Sequence, residues 1–535
     1  MITSWKRTVI LGAILAIAGA AIIGSMRRTS TTFDEIAVAA EGARGFELGR
    51  FDLTREHPPL LKYVYGLPIH LSNPTLPEEI TPTPLDFGYR YQYAEKLFWR
   101  TGNDPERLAF LARLPAALFA LSLVLLTYTL ARSAVGEGPA LLAAGLVAFL
   151  PDVLAHGGVA YNDIPVAVFY FAAVWALDAA LRRPGWKRGA MAGVLVGLAL
   201  CTKFSALVLV PVAGVLLVLE AAHRGKDKAW RAGVARSISA AIAASLATII
   251  LVYRGDFTLW EFRYGMWYTL GHVSGGHDYP AFLLGETSMT GWWYAFPVLL
   301  LLKTPAALHV LALVAVIGGA RAARPKWRDL LASPLRAPVV GAVVFGAALL
   351  TSDLAIGFRY ALPLLPFLCV LIAAGAAEIW NRSGRPGRAA IAVLAVAHAV
   401  SSLSYYPHFL AYTSEYVPSR DDAYLTLVDS SLDWGQGLLE LRDYMQENGI
   451  DRVYLSYFGS AYPDGYGIDY LPLESFFILP RPVAEEPGRE KPTHTVISAT
   501  NLWGVYLDGD PFAEYRNREP KAVLGHTMFI YSVDD

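Results

Sequence analysis

Residues 9–35, "VILGAILAIAGAAIIGSMRRTSTTFDE", run from sixteen apolar or small residues into two adjacent carboxylates, Asp34 and Glu35. At about 1.5 Å of rise per residue, a helix over 9–24 covers most of a bilayer's hydrocarbon core. Lys6 and Arg7 ahead of it give the run the look of a signal peptide. No small-residue cleavage site is evident, however, and more apolar runs follow, so the segment reads as a retained first span. The carboxylates then stand where the chain leaves the membrane. Thr31 and Thr32 precede them with capping-box spacing, and acids suit the first turn of a helix. Local sequence therefore fits a helix cap as well as catalysis.

Of the 535 residues, 54% are hydrophobic and 17% charged, with a net charge of −1. A soluble chain carries about a quarter charged residues. The balance points to a multi-span membrane protein and gives no reason to expect nucleic acid as a partner. Cys201 and Cys369 both lie inside apolar runs, which suits packing better than a disulfide or a metal pair.

Candidate spans fall at 8–25, 108–131, 138–155, 162–181, 189–202, 204–222, 234–253, 291–320, 338–352, 359–380 and 389–404. That is about eleven helices. The 291–320 run is long enough to break at Lys303-Thr304-Pro305. The basic loops 182–188, 223–231, 321–336 and 381–388 fall on the same side as Lys6 and Arg7, so the positive-inside rule makes that side cytoplasmic. Residues 26–107, 254–290 and everything after 405 then face outward. The expected organisation is a transmembrane module over 1–404, with 26–107 as its outward catalytic loop, and an extracytoplasmic domain over 405–535. The inferred location is the plasma (inner) membrane, with a cytoplasmic amino terminus.

The tail has soluble character. "RVYLSYFG" and "HTVISAT" read as strands, and "GLLELRDYMQENG" as an amphipathic helix closed by Gly449. A small α/β domain is the expectation. In the first outward loop, "FDEIAVAAEGARGFELG" and "PPLLKYVYGLPIHL" read as helices on the membrane surface. "FGYRYQYAEKLFWR" reads as headgroup-layer anchoring.

Several motifs carry a family resemblance. "FDE" followed at a short gap by "HPPLLK" (57–62) resembles the first outward loop of the protein O-mannosyltransferases, their bacterial relatives and the lipid A aminoarabinose transferases. "ARLPAALFA" (112–120), "AYNDIPVAVFYF" (160–171), "GLALCTKFSALVLVP" (197–211), "LLGETSMTGWWYAFPVLLLLKTP" (283–305) and "IGFRYALPLLPFL" (356–368) continue it in order over most of 30–370. These are GT-C glycosyltransferases, which take a sugar from a polyprenyl-phosphate carrier. The loop 254–290 is too short for the folded domain of the eukaryotic members, and "DSSLDWGQGLLELRDYM" resembles bacterial members with an outer carboxy-terminal domain.

The resemblance implies inverting transfer of a sugar to an acceptor hydroxyl at the extracytoplasmic face. Such transfer needs a base for the acceptor proton and cations for the leaving phosphate. It assigns catalysis to Asp34, the first acid of the pair. Glu35 lies about 100° around a helix and is expected, with His57, Asp163 and Tyr360, to bind donor or acceptor, or else to orient a partner side chain. Lys62, Arg113, Lys203 and Arg359 are the expected phosphate ligands. Lys203 is the most telling, because a lysine between two spans at the outer surface runs against the positive-inside rule. An ion pair with Asp353 is the structural alternative for Arg359, and a helix cap the alternative for Asp163. No cofactor is expected to be required, although adjacent acids are compatible with a divalent cation. The expected partners are a polyprenyl-phosphate sugar, the lipid bilayer, and an acceptor protein, lipid or glycan. A transporter or lipid-linked-sugar flippase is a competing class, and would predict midplane charges, broken helices and repeats; a non-catalytic assembly protein, with the tail as an interaction module, is the third.

Overall fold

A computed structural model describes residues 4–49, 51–78, 89–225, 227–274, 279–321, 332–352, 356–477 and 491–533. Every apolar run singled out in the sequence is largely helical, the 291–320 run as two helices on either side of Thr304-Pro305. The first helices are α1 (Ser4–Met26), α2 (Glu35–Leu48), α3 (Leu60–Leu71), α4 (Tyr89–Glu95), α5 (Pro105–Val135), α6 (Glu137–Ala148) and α7 (Pro151–His156). There follow α8 (Asp163–Arg182), α9 (Trp186–Leu200), α10 (Leu209–Arg224), α11 (Lys228–Val252), α12 (Trp260–Ser274), α13 (Ala295–Lys303) and α14 (Ala306–Arg321). Helices Arg336–Leu350, Leu365–Arg382 and Arg385–Leu403 complete the bundle.

Among the described residues, seven helices are long and apolar enough to cross a membrane, or eight if α13 and α14 form one span. The remaining apolar runs make shorter helices, α6, α9 and Arg336–Leu350. The α13–α14 pair bends by 113° at the expected Lys303-Thr304-Pro305, since proline lacks the N–H that would continue the first helix. The chain is a multi-pass membrane protein. Most of the basic loop 321–336 lies outside the described residues.

The carboxy-terminal part is the expected α/β domain. Helix Leu438–Glu447 precedes a five-stranded mixed sheet of order β4-β3-β5-β7-β6, whose strands are β3 (Val453–Ser456), β4 (Tyr470–Pro472), β5 (His494–Ser498), β6 (Ala522–Leu524) and β7 (Met528–Ser532). Strand β3 runs parallel to β4 and β5, while β7 is antiparallel to β5 and β6. Gly449 takes φ +62° just after the helix, a conformation glycine adopts without steric cost. A separate hairpin, β1 (Ala281–Leu283) with β2 (Glu286–Ser288), sits in the loop after α12.

The loop 26–107 departs from expectation. Helix α2 does not lie on the membrane surface, because Glu35 through Gly45 are all buried. It crosses α3 so closely that a Cβ on Gly42 would collide with the Lys62 carbonyl. The aromatic stretch is not an anchor either, for Tyr89, Arg90, Tyr91, Tyr93, Leu97 and Phe98 are buried. Its Trp99 packs against Tyr462 and Tyr466 of the carboxy-terminal domain. In both stretches the apolar and aromatic residues meet protein instead of lipid headgroups.

Candidate active site

Asp34 caps α2 by position, yet its side chain makes no capping bond. It is the neighbouring Glu35 that reaches back, accepting from the Thr32 N–H at 3.1 Å. Asp34 is left partly exposed at 22%, accepting from the Tyr91 hydroxyl at 3.0 Å. Across from it stands Arg359, whose Nη2 is 3.5 Å from Asp34 Oδ2 and whose Nη1 is 3.5 Å from Asp163 Oδ2. One guanidinium thus lies between two carboxylates.

Asp163 opens α8 and is buried, so it needs a charged partner. Lys203 supplies one at 2.7 Å, from the turn between α9 and α10. The Lys203 ammonium sits 4.4 Å from the Tyr360 ring centre. The Arg359 guanidinium carbon sits 4.3 Å from the Trp434 ring, 5.1 Å from Tyr161 and 5.2 Å from Tyr360. This aromatic cage matches the attraction of a cation to a π face. Asp353 lies outside the described residues, and Arg359 instead faces Asp34 and Asp163.

Tyr161 joins the cage to a cavity, its hydroxyl 2.9 Å from His57 Nε2. The cavity measures 410 Å³ and is lined by Arg55, His57, Lys62, Arg254, Asp52 and Glu261 among others. Burial pulls the His57 imidazole down to about 3, and the Asp34 charge opposes that only in part. His57 is therefore neutral at pH 7, a hydrogen-bonding partner rather than a cation. Lys62 donates to Thr54 O at 2.8 Å and pairs with Glu41 at 3.1 Å. Burial lowers its pKa, and Glu41 raises it back in part.

Glu35 and Arg113 are placed elsewhere. Arg113 Nε and Nη2 bind the two Glu35 oxygens, and its remaining N–H groups donate to the carbonyls of Met26, Thr29 and Ser30. All five guanidinium donors are consumed. Glu35 also accepts from the Ala160 N–H at 2.9 Å. The expectation that Arg113 binds phosphate is corrected by this saturation, and Glu35, expected to orient an acceptor or a partner side chain, does the latter: the pair pins α2 to α5 behind the site.

Asp34, His57, Asp163, Lys203, Arg359 and Tyr360 thus come together, with Lys62 on the adjoining cavity wall. Tyr91, Tyr161 and Trp434 are site residues that sequence reasoning did not single out. Tyr161 and Trp434 lay within motifs already noted, "AYNDIP" and "LDWGQG". Tyr91 was hidden in the supposed anchor. Among the described residues no group of three or more His, Cys, Asp or Glu is arranged to hold a metal ion.

A second charged cluster lies at the other end of α8, where Arg336 binds Asp178 and Glu220 at 2.5 Å each. Charges within reach of the spans are therefore not confined to one mouth. Asp178 is about 22 Å along the helix from Asp163, so the two clusters are separate.

Residues 106–253, which contain Arg113, Asp163 and Lys203, match the family profile described as dolichyl-phosphate-mannose-protein mannosyltransferase. No curated protein matches the chain. The structure of ArnT from Cupriavidus metallidurans bound to undecaprenyl phosphate superposes with a TM-score of 0.50 at 13% identity, covering 99% of this chain and 98% of that one. The same protein in the apo state gives 0.48 at 12% identity, over 98% of each chain. The Archaeoglobus fulgidus oligosaccharyltransferase, tethered to an acceptor peptide, gives 0.41 at 12% identity over 88% of this chain and 64% of that one. The fold shared with ArnT and the family match agree with the GT-C glycosyltransferase superfamily that the motifs resemble.

Proposed function

We propose that this protein transfers a sugar from a polyprenyl-phosphate carrier to an acceptor hydroxyl at the extracytoplasmic face, with inversion at the anomeric carbon. The observation that carries the reading is the setting of Asp34. It is a partly exposed carboxylate held by Tyr91, with Arg359 3.5 Å away and Lys203 beyond it on Asp163.

Asp34 takes the proton of the acceptor hydroxyl as that oxygen forms its bond to the anomeric carbon. The bond from that carbon to the phosphate oxygen breaks, and the carrier phosphate leaves with the electron pair. Arg359 and Lys203 neutralise the charge that develops there, with Lys62 on the adjoining wall. Two Arg359 nitrogens, Nε and Nη1, have no hydrogen-bond acceptor among the described residues, which leaves donors for a phosphate. A 410 Å³ cavity is within the usual size for a small-ligand site. The family described for dolichyl-phosphate mannose and the undecaprenyl phosphate bound by ArnT support a lipid-phosphate donor. The basic loops 182–188 and 223–231 support a cytoplasmic face opposite the site.

The bent α13–α14 pair is a feature that a transporter would share. Its Lys303, however, donates to the carbonyls of Leu410, Tyr412 and Ser431. These bonds dock the chain leading into the carboxy-terminal domain, and the buried Asp152 carboxylate lies 3.8 Å from the same ammonium.

The test uses membranes supplied with undecaprenyl-phosphate-linked radiolabelled mannose, galactose or arabinose. Wild type should label a protein, lipid or glycan fraction, and Asp34→Asn should lose about 10²–10⁴-fold of the rate while expressing and folding normally. Full activity in Asp34→Asn sinks the assignment, and no transfer from any donor favours the transporter class.

A further inference from the structure

The stretch Asp433–Gly437 of the outer domain touches both halves of the site. The Phe33 N–H donates to the Trp434 carbonyl at 2.9 Å, and the Ser30 N–H to the Gln436 carbonyl at 3.0 Å. Ser30 Oγ donates to Gly435 O at 2.9 Å and accepts from the Leu438 N–H at 3.1 Å. The residues leading into Asp34 are thereby paired, backbone to backbone, with the outer domain. The stretch is itself held. Trp434 N–H donates to Gln436 Oε1 at 2.7 Å, and Asp433 accepts from the Thr500 N–H at 3.0 Å.

Trp434 also makes the closest of the three ring contacts to Arg359. The guanidinium is hydrogen-bonded tightly to neither carboxylate. Both separations are 3.5 Å, against about 2.7–2.9 Å for a charge-assisted bond. A guanidinium free to move would close on one of them and saturate it. Something must hold it off both, and the indole, only 2% exposed, is packed against it.

We infer that Trp434 is a positioning residue for the transfer reaction, its indole holding Arg359 between Asp34 and Asp163 while its carbonyl fixes the backbone before Asp34. This rests on the proposed glycosyl transfer and deepens it: the outer domain is part of the active site rather than an appendage. The guanidinium so held keeps N–H donors directed to the leaving phosphate, which gains negative charge as the sugar departs. Loss of the ring should therefore act on turnover more than on donor binding.

The test is made on the full-length protein in nanodiscs, with the undecaprenyl-phosphate sugar that wild type turns over. Trp434→Met keeps bulk and removes the π face. It should lower kcat about tenfold or more with KM little changed, and Trp434→Phe should restore most of the rate. In an Arg359→Met background, Trp434→Met should cost nothing further. Mono-, di- and trifluorotryptophan at 434 keep the shape and drain the π face, so kcat should fall with each fluorine even if Trp434→Met does not fold. Undecaprenyl phosphate binding, measured without turnover, should weaken in Trp434→Met and Arg359→Met and no further in the double variant. Losses that multiply, or a flat fluorine series, overturn the inference while leaving the transfer reading intact. A wild type that transfers no sugar yet shows the coupled binding losses overturns the transfer reading alone. A wild type that neither transfers sugar nor binds undecaprenyl phosphate overturns both.

Discussion

Glu35 and Arg113 are bound to each other through two hydrogen bonds, 2.7 and 2.8 Å long, although 78 residues separate them. Asp34, one residue earlier, points the other way and stays partly exposed. Two adjacent acids thus divide their work by helix geometry: one fastens α2 to α5, the other faces the site.

Breaking the fastening should destabilise the protein rather than retune its binding. Arg113→Lys cannot replace five donors, and Glu35→Gln leaves a buried guanidinium without its counter-charge, each at a cost of about 3–5 kcal/mol. Thermal unfolding in detergent should show a lowered Tm for both. An Arg113→Lys protein with unchanged Tm and only a raised donor KM would return Arg113 to the phosphate site.

Lys203→Met should act on both charge balance and turnover. It leaves Asp163 buried with Arg359 as its remaining cation, so the guanidinium should be drawn toward Asp163 and away from Asp34. Transfer should fall about 10²-fold or more, and Asp163→Asn in the same chain should recover folding without recovering activity. Normal kcat in Lys203→Met would contradict its role at the phosphate.

His57 should make acid stability pH-dependent in a definite window. Its folded pKa is depressed to about 3, below the unfolded value of about 6.5. The stabilisation is complete above pH 6.5 and is lost as pH falls toward 3, because the unfolded state takes up the proton first. His57→Gln, which keeps a partner for Tyr161, should lose less Tm than wild type between pH 6.5 and 4. Parallel Tm curves would show that the imidazole does not titrate as its burial implies.

Asp433 should show the opposite sign. Burial raises its carboxyl to about 7, opposed in part by N–H donors from Thr500 and Gly435. An acid with a raised folded pKa stabilises fully below its unfolded value of about 3.9, and that contribution is lost as pH rises toward 7. The Tm of Asp433→Asn relative to wild type should therefore climb between pH 4 and 7 and level off above. A difference independent of pH would refute the titration.

Much of this protein was determined by its sequence alone. The apolar runs had to become helices in lipid, since no other structure satisfies the backbone of a lone span, and each does so within a few residues. The strands at 453–456 and 494–498, the helix closed near Gly449 and the break at Lys303-Thr304-Pro305 were equally local matters. Family-like motifs also singled out Asp34, Asp163, Lys203 and Arg359, which converge. What only the tertiary structure decided is which charges spend themselves on one another. Arg113 and Arg359 look alike in sequence, each a cation near the end of an apolar run. The first meets five acceptors and is saturated; the second meets aromatic faces and two carboxylates at 3.5 Å. The apolar and aromatic residues of α2 and α4 gave no sign of whether lipid or protein would cover them, because the sequence records only their chemistry. Trp434 reaches the site from some 400 residues beyond Asp34. No spacing rule encodes that meeting, since it depends on how the carboxy-terminal domain folds back over residues 30–34.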